Sequence, residues 1–406
     1  MRKKITSASL WFTVLSLTAS ALNFLYYPVV AHLLNLSQFG DVQIGVSFIM
    51  QAAALFSSLN LVALFISAGK GGTENVTARL ERILILPSAV GAALVVMLAQ
   101  PISQILQLHD PSLLYLLALI FILNIPASTW VGTLQGEESF VRSGLIALCA
   151  SAVKIIVSAL MIVAGFGAHG AIIGILVGTA CIIPLAYFAQ KSSSLDVRQT
   201  FRLPTKTDFR FLFQRPSLSL LLLSFLLLAL LSTFDALFAK IHLSPEPAGM
   251  FAQLSIMAKI PYFLATPVSI ILFRQFINSP EKQARRLAIY AGAVTVASVA
   301  IFFCIPVAAN LLFQLKLEPN HITIAALLLL AFGAFSITNS LVFLMIARGS
   351  VRQTFAVAIF GFICITALLI TSDASGESIA WRYAIGQTAT SLLALAMLRY
   401  TKRYVR

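Results

Sequence analysis

Apolar runs of about twenty residues alternate with short polar breaks along this chain, roughly one run every 34 positions, the length a helix needs to cross a bilayer. A backbone in lipid can satisfy its own hydrogen bonds only as a helix or a closed barrel, and these runs are too long and too evenly apolar for barrel strands. The pattern predicts twelve spanning helices, over residues 7–34, 41–68, 83–100, 112–134, 142–165, 169–189, 216–240, 248–273, 287–314, 322–346, 353–372 and 379–399. The one long polar interval, QKSSSLDVRQTFRLPTKTDFRFLFQR at 190–215, separates six spans from six. The expected fold is an all-α integral membrane protein: an N-lobe over 1–189, a basic cytoplasmic linker over 190–215 and a C-lobe over 216–406.

The two halves repeat each other. Leu36-Ser37 and Gly40, between the first two spans, correspond to Leu243-Ser244 and Gly249 between the seventh and eighth, at offsets of 207 and 209. The connection around Gly136 corresponds to the one around Gly349, at an offset of 213. An even number of spans per half gives both halves the same orientation, so the repeat is parallel, and lobes so related commonly enclose a central cavity.

Composition agrees with this reading and charge refines it. Hydrophobic residues make up 59% of the chain and charged ones 10%, far from the balance of a soluble domain. The net charge of +14 does not mark a nucleic-acid partner, because the basic residues are scattered through short loops. With the N-terminus in the cytoplasm, that side receives 23 of the 28 lysines and arginines. The outer loops receive Lys240, Lys316 and Arg382, while Lys154 and Lys259 fall inside spans. This bias puts both termini in the cytoplasm. MRKKITSASLWFTVLSLTASALNF starts like a secretory signal, but its apolar run continues to Leu34 and reads as an uncleaved first span. All five histidines (His32, His109, His169, His242, His321) fall near the outer face, where interfacial polarity explains them more simply than pH sensing. Trp11, Trp130 and Trp381 read as interface anchors, and Cys149, Cys181, Cys304 and Cys364 as small buried hydrophobes.

Charges within spans normally face a partner or a wet cavity, because a charge at the bilayer centre costs roughly 2.5–3.5 kcal/mol on insertion scales. Lys259 lies about 15 Å into the eighth span, in a one-faced stripe of Ser255, Lys259, Tyr262, Thr266 and Ser269. Lys154 lies about 18 Å into the fifth, flanked by Ser151 and Ser158. Either both ammonium groups face the cavity and attract an anionic substrate, or each is held by a carboxylate or a helix end. Asp235, near the outer end of the seventh span, either takes a coupling Na⁺ or proton or pairs with Lys259 or Lys240. Ser16, Ser20, Asn23 and Tyr27 line one face of the first span, and Gln43, Ser47 and Gln51 one face of the second. The expected cavity lining is therefore Lys154, Lys259, Asn23, Tyr27, Gln51, Ser255 and Tyr262. No phosphate loop, metal-spaced histidine pair or nucleophile elbow occurs, so neither a catalytic nor a metal site is expected.

The opening LTASALNFLYYPVVAHLLNLSQFGDVQ, with Leu36-Ser37 and Gly40 in its outer turn, resembles the O-antigen and polysaccharide flippases. These belong to the multidrug/oligosaccharidyl-lipid/polysaccharide exporter superfamily. Pro216 opening the seventh span, Asp235 near its end, LSPEPAGMF in the repeated turn and QGEESF after the fourth span extend the likeness over the whole chain. His32 stands where such proteins commonly carry a fixed basic residue. The resemblance implies a non-enzymatic flippase in a bacterial inner membrane. Its cargo would be a polyprenyl-pyrophosphate-linked oligosaccharide for surface polysaccharide synthesis, moved by alternating access, with other polysaccharide assembly proteins as possible partners. The alternative on the same fold is a cation-coupled multidrug extruder. A glycan polymerase or ligase would need a sizeable outer loop, and no outer loop here exceeds about 15 residues.

Overall fold

The computed structural model describes residues 2–49, 73–136, 139–189, 216–278 and 282–399, and every regular element among them is a helix. In chain order these are α1 (Arg2–Leu33), α2 (residues 36–49), α3 (Thr73–Met97), α4 (Ala99–Ile105), α5 (Ser112–Gly136), α6 (Phe140–Met161) and α7 (Gly167–Ala189). Then come α8 (Pro216–Leu231), α9 (Phe234–His242), α10 (Pro245–Ala258), α11 (Ile260–Asn278), α12 (Gln283–Phe313), α13 (Pro319–Ala347), α14 (Val351–Ile370) and α15 (Gly376–Arg399). Among the described residues, six stretches are long and apolar enough to cross a membrane, and nine if α3–α4, α8–α9 and α10–α11 each make one bent span. The stretch Phe140–Ala189 holds two predicted spans, α6 and α7. The last predicted span is helical as α15 but too polar to join that count. The rest of the second span, with Gln51, and the linker at 190–215 lie outside the described residues. The chain is a multi-pass helical membrane protein.

Besides the 67° break between α3 and α4, three helix interruptions among the described residues shape it. Between α6 and α7 a π-helical turn ends at Gly165 (φ +95°) and Gly167 (φ +51°), left-handed backbone that glycine adopts without a Cβ penalty. Between α10 and α11 the axis bends by 41° at Lys259, because Pro261 has no N–H to give the Met257 carbonyl. Between α8 and α9 it bends by 47° with no proline nearby. There the Ser232 hydroxyl donates to the Ala229 carbonyl (2.7 Å) and the Thr233 hydroxyl to that of Leu230 (3.2 Å), drawing side chains into the helix ladder. The seventh predicted span, continuous in the sequence pattern, is therefore broken.

The chain forms two compact units, one of Met1–Leu34 with Ile44–Leu222, the other of Asn35–Gln43 with Leu223–Arg406. In the first, α7 lies against α6 through Gly170, Gly174 and Gly178, three glycines four residues apart on one helix face. A Cβ at 174 would lie 2.5 Å from the Ser158 backbone nitrogen, so only glycine permits this approach. Trp130 is buried among Leu134, Ile146 and Ala186, not set at an interface as the sequence suggested. It lies six residues before the end of α5, well inside the bundle, whereas Trp11 and Trp381 are exposed.

In the second unit α13 is the axial helix, with 72% of its most apolar window buried, against 17% for α12. Val296, Val299, Phe303 and Leu311 of α12 are exposed, an apolar flank suited to lipid. The cysteines follow the same rule. Cys149 and Cys304 are exposed, and Cys181 and Cys364 are half-buried, because they sit on such flanks and not in the core.

Residues 35–43, the turn into α2 together with that helix's first half, pack within the second unit. The contact is close at the start of α10, where a Cβ at 249 would lie 3.0 Å from the Leu36 carbonyl carbon. Gly249→Ala should therefore force this turn off α10 and cost about 1–3 kcal/mol, more than alanine regains in helix propensity. Thermal unfolding in detergent checks this: the melting temperature should fall, whereas Gly292→Ala, at an open position on α12, should leave it unchanged or raise it.

Candidate functional site

The polar residues of the spans gather into two clusters, one in each unit. In the first, Lys154 of α6 donates a short hydrogen bond to Asn23 Oδ1 of α1, and Asn23 Nδ2 donates to Ser151 Oγ at 3.0 Å. The ammonium stands 4.6 Å from the centroid of the Tyr26 ring. Tyr26 is fixed by its own hydroxyl, which donates to the Ala171 carbonyl at 3.1 Å, and Ser158 donates to the same oxygen at 3.0 Å. Among the described residues no carboxylate lies within 4 Å of Lys154, and its side chain is partly buried. An amide oxygen and an aromatic face stabilise its charge without cancelling it, so the cluster is suited to an anion.

In the second unit the charges are matched. Asp235 is fully buried at the first turn of α9, where the positive end of the helix favours a carboxylate. It accepts a short hydrogen bond from Ser255 and lies 3.3 Å from Lys259 Nζ, itself 2% exposed. The ammonium also stands 4.9 Å from the Phe332 ring centroid. The break before Asp235 frees the Leu231 carbonyl, and Tyr383 Oη (2.6 Å) and Gln387 Nε2 (3.0 Å) of α15 donate to it. Near the C-terminal end of α9, Lys240 and Asp41 form a second buried pair at 3.0 Å.

The sequence grouped Lys154 with Ser151 and Ser158, placed Asn23 in the same expected lining, and put Ser255 and Lys259 in one stripe; in the structure Asn23 bridges Lys154 and Ser151, and Lys259 and Ser255 both meet Asp235. Of the two roles open to Asp235, it shows the ion pair with Lys259. Tyr27 is buried behind Tyr26, which takes the ring position over the lysine, a choice between adjacent residues that periodicity could not make. Tyr262 packs against Phe335 (5.3 Å between centroids). Ser269, further along the stripe, joins Tyr290 (2.8 Å) and Ser340 (3.2 Å) in a separate buried group. Lys240 is not in an outer loop, since α9 runs two residues beyond it to His242. Missed entirely was Glu81, buried on α3 and bonded by the Thr129 hydroxyl, because it stood two residues outside the predicted third span.

The histidines have local work. His32 Nδ1 is bonded to the Pro28 carbonyl (2.8 Å), and His321 caps α13 by accepting the Glu318 N–H (3.1 Å). His242 stacks on Phe238. His169 Nε2 is bonded to Ser112 Oγ (2.6 Å) and lies 3.5 Å from Asp110. Hydrogen bonds from Ser112 hold the exposed Asp110 carboxyl below its usual range.

No protein-family profile and no curated protein sequence matches the chain. Solved structures do, over nearly its whole length. One is an inward-facing multidrug resistance MATE family transporter of the MOP superfamily, 13% identical, with a TM-score of 0.69 and 97% of each chain covered. Another is an outward-facing multidrug resistance MATE family transporter, 14% identical, with a TM-score of 0.70 over 98% of this chain and 95% of that one. A third is a MOP superfamily transporter from Pyrococcus furiosus, described as having a binding pocket of reverse polarity that suggests a different function. It is 15% identical, with a TM-score of 0.68 and coverage of 98% and 95%. At these identities the likeness establishes the fold, which is that of the MATE transporters of the MOP superfamily.

Removing one member of a buried ion pair strands the other, at about 3–5 kcal/mol, whereas removing both leaves no orphan charge. Asp41→Leu and Lys240→Met should therefore each lower the melting temperature more than the double variant does, in a double-mutant cycle read by thermal unfolding.

Proposed function

We propose that this chain is an alternating-access exporter of an anionic amphiphile. Its two repeated six-span halves would alternate access by rigid-body rocking. The observation that carries the transport reading is the near-full-length match to one fold solved both inward- and outward-facing. The positive-inside bias supports a cytoplasmic location for both termini. The solved relatives are described as multidrug transporters, which favours a small-molecule cargo taken from the membrane or cytoplasm.

The polarity of the cargo follows from Lys154. An exporter of organic cations would want an uncompensated acid in its cavity. Here the buried Asp235 and Asp41 are each held by a lysine, and the ammonium of Lys154 has no carboxylate partner among the described residues. Lys154, Asn23 and Ser151 would hold a phosphate, sulfate or carboxylate headgroup, with Tyr26 beside it. The same observation favours a second reading, in which the anion is the pyrophosphate of a lipid-linked oligosaccharide, in line with the resemblance of the first span and outer turn to polysaccharide flippases.

Two strains separate the cargoes. Expression in a pump-deficient host should raise resistance to anionic amphiphilic drugs more than to organic cations. Deletion from the native host, followed by glycolipid analysis, should leave lipid-linked oligosaccharides unchanged. Accumulation of a cytoplasm-facing lipid-linked oligosaccharide, without any drug phenotype, would assign the second cargo. In either assay Lys154→Ala should lower transport by about tenfold at equal protein level, the loss of roughly 1.4 kcal/mol of headgroup binding, and Lys154→Arg should retain most of it. Full resistance with Lys154→Ala would contradict an anionic cargo.

A further inference from the structure

Asp235 sits in surroundings built for a small cation. Its carboxylate is fully buried between two helix breaks, the one that frees the Leu231 carbonyl and the one at Lys259. Around these breaks stand the Ser255 and Tyr383 hydroxyls and the side-chain oxygen of Gln387, which is buried and has no hydrogen-bond partner among the described residues. A carboxylate, hydroxyls, an amide oxygen and a broken-helix carbonyl are the ligand types of a hard monovalent or divalent ion. The cation present is the ammonium of Lys259, 3.3 Å from Asp235 Oδ1 and held from another side by the Phe332 ring.

We propose that Lys259 is a tethered counter-ion, which takes at Asp235 the position a free Na⁺ would otherwise fill. Three features support this over a merely structural pair. Lys259 is the residue at which the α10–α11 axis turns, two residues before Pro261. Its three N–H donors can satisfy oxygens that a Na⁺ would coordinate. Gln387 keeps an acceptor that a lysine leaves unused and a spherical ion would recruit. A cation that is covalently attached cannot be exchanged between the two sides of the membrane. The consequence, which rests on the transport reading, is that no Na⁺ gradient is coupled through this carboxylate.

The test does not need transport, so its failure is distinguishable from a failure of the exporter assignment. Purified full-length protein in detergent is melted in NaCl from 1 to 100 mM at ionic strength fixed with choline chloride. The wild type should melt at the same temperature throughout. Lys259→Met should melt lower without Na⁺ and gain several degrees as Na⁺ rises, because an ion that binds only the folded state stabilises it by mass action. Asp235→Asn added to Lys259→Met should abolish that gain. Lys259→Arg, which keeps a tethered cation, should remain indifferent to Na⁺. Stabilisation of the wild type by Na⁺ that disappears in Asp235→Asn would overturn the proposal, as would a Lys259→Met protein that folds and ignores Na⁺. Should Lys259→Met fail to fold, the wild-type and Lys259→Arg titrations still decide the matter: indifference of both supports it, and an Asp235-dependent response of either refutes it.

Discussion

Charge buried in a medium of low polarity must be answered locally, and the second unit is arranged around that requirement. Asp235 and Asp41 are both almost wholly buried, and each has a lysine within 3.3 Å. The break at Ser232 and Thr233 starts a new helix whose N-terminus favours Asp235, and Lys259 stands where the α10–α11 axis bends. Each interruption leaves backbone groups without helical partners, and side chains of α15 satisfy the carbonyl freed at Leu231. Helix breaks, buried charges and the polar face of α15 are thus one construction.

The first unit solves a different problem. It holds a lysine at depth beside an amide, a hydroxyl and an aromatic ring, with no carboxylate within 4 Å among the described residues and the side chain partly buried. This needs close approach, and the glycine row at 170, 174 and 178 supplies it by letting α7 lie against the backbone of α6 at Lys154 and Ser158. A matched cluster in one unit and a lysine with no carboxylate within 4 Å among the described residues in the other make the two units chemically unequal.

The spans were legible in the sequence because a bilayer demands long apolar runs, and the described helices meet the predicted ranges to within a few residues at most ends. Ser151 beside Lys154 and Ser255 beside Lys259 were legible because side chains three and four apart share a helix face, whereas Asn23 and Asp235 reach these lysines from other helices. What could not be read depended on tertiary packing. Trp130 near a span end looks the same whether it meets headgroups or Leu134 and Ile146. Tyr26 and Tyr27 are adjacent, and only the tilt of α1 against α6 decides which ring meets the lysine. The break before Asp235 has a sequence signal, the Ser232-Thr233 pair in an apolar run, and the α6–α7 approach has one in its glycine spacing. Their meaning becomes clear only once α15 and α6 are in contact with them.

The most direct measurement of this division between the units is amine footprinting. The protein in lipid nanodiscs is treated with a small membrane-permeant acylating reagent, and labelling is quantified at each lysine by mass spectrometry. Lys154 should be acylated, while Lys240 and Lys259, paired and 2% exposed, should stay protected until the protein unfolds. Protection of Lys154, or labelling of Lys259 at the same rate, would contradict the account.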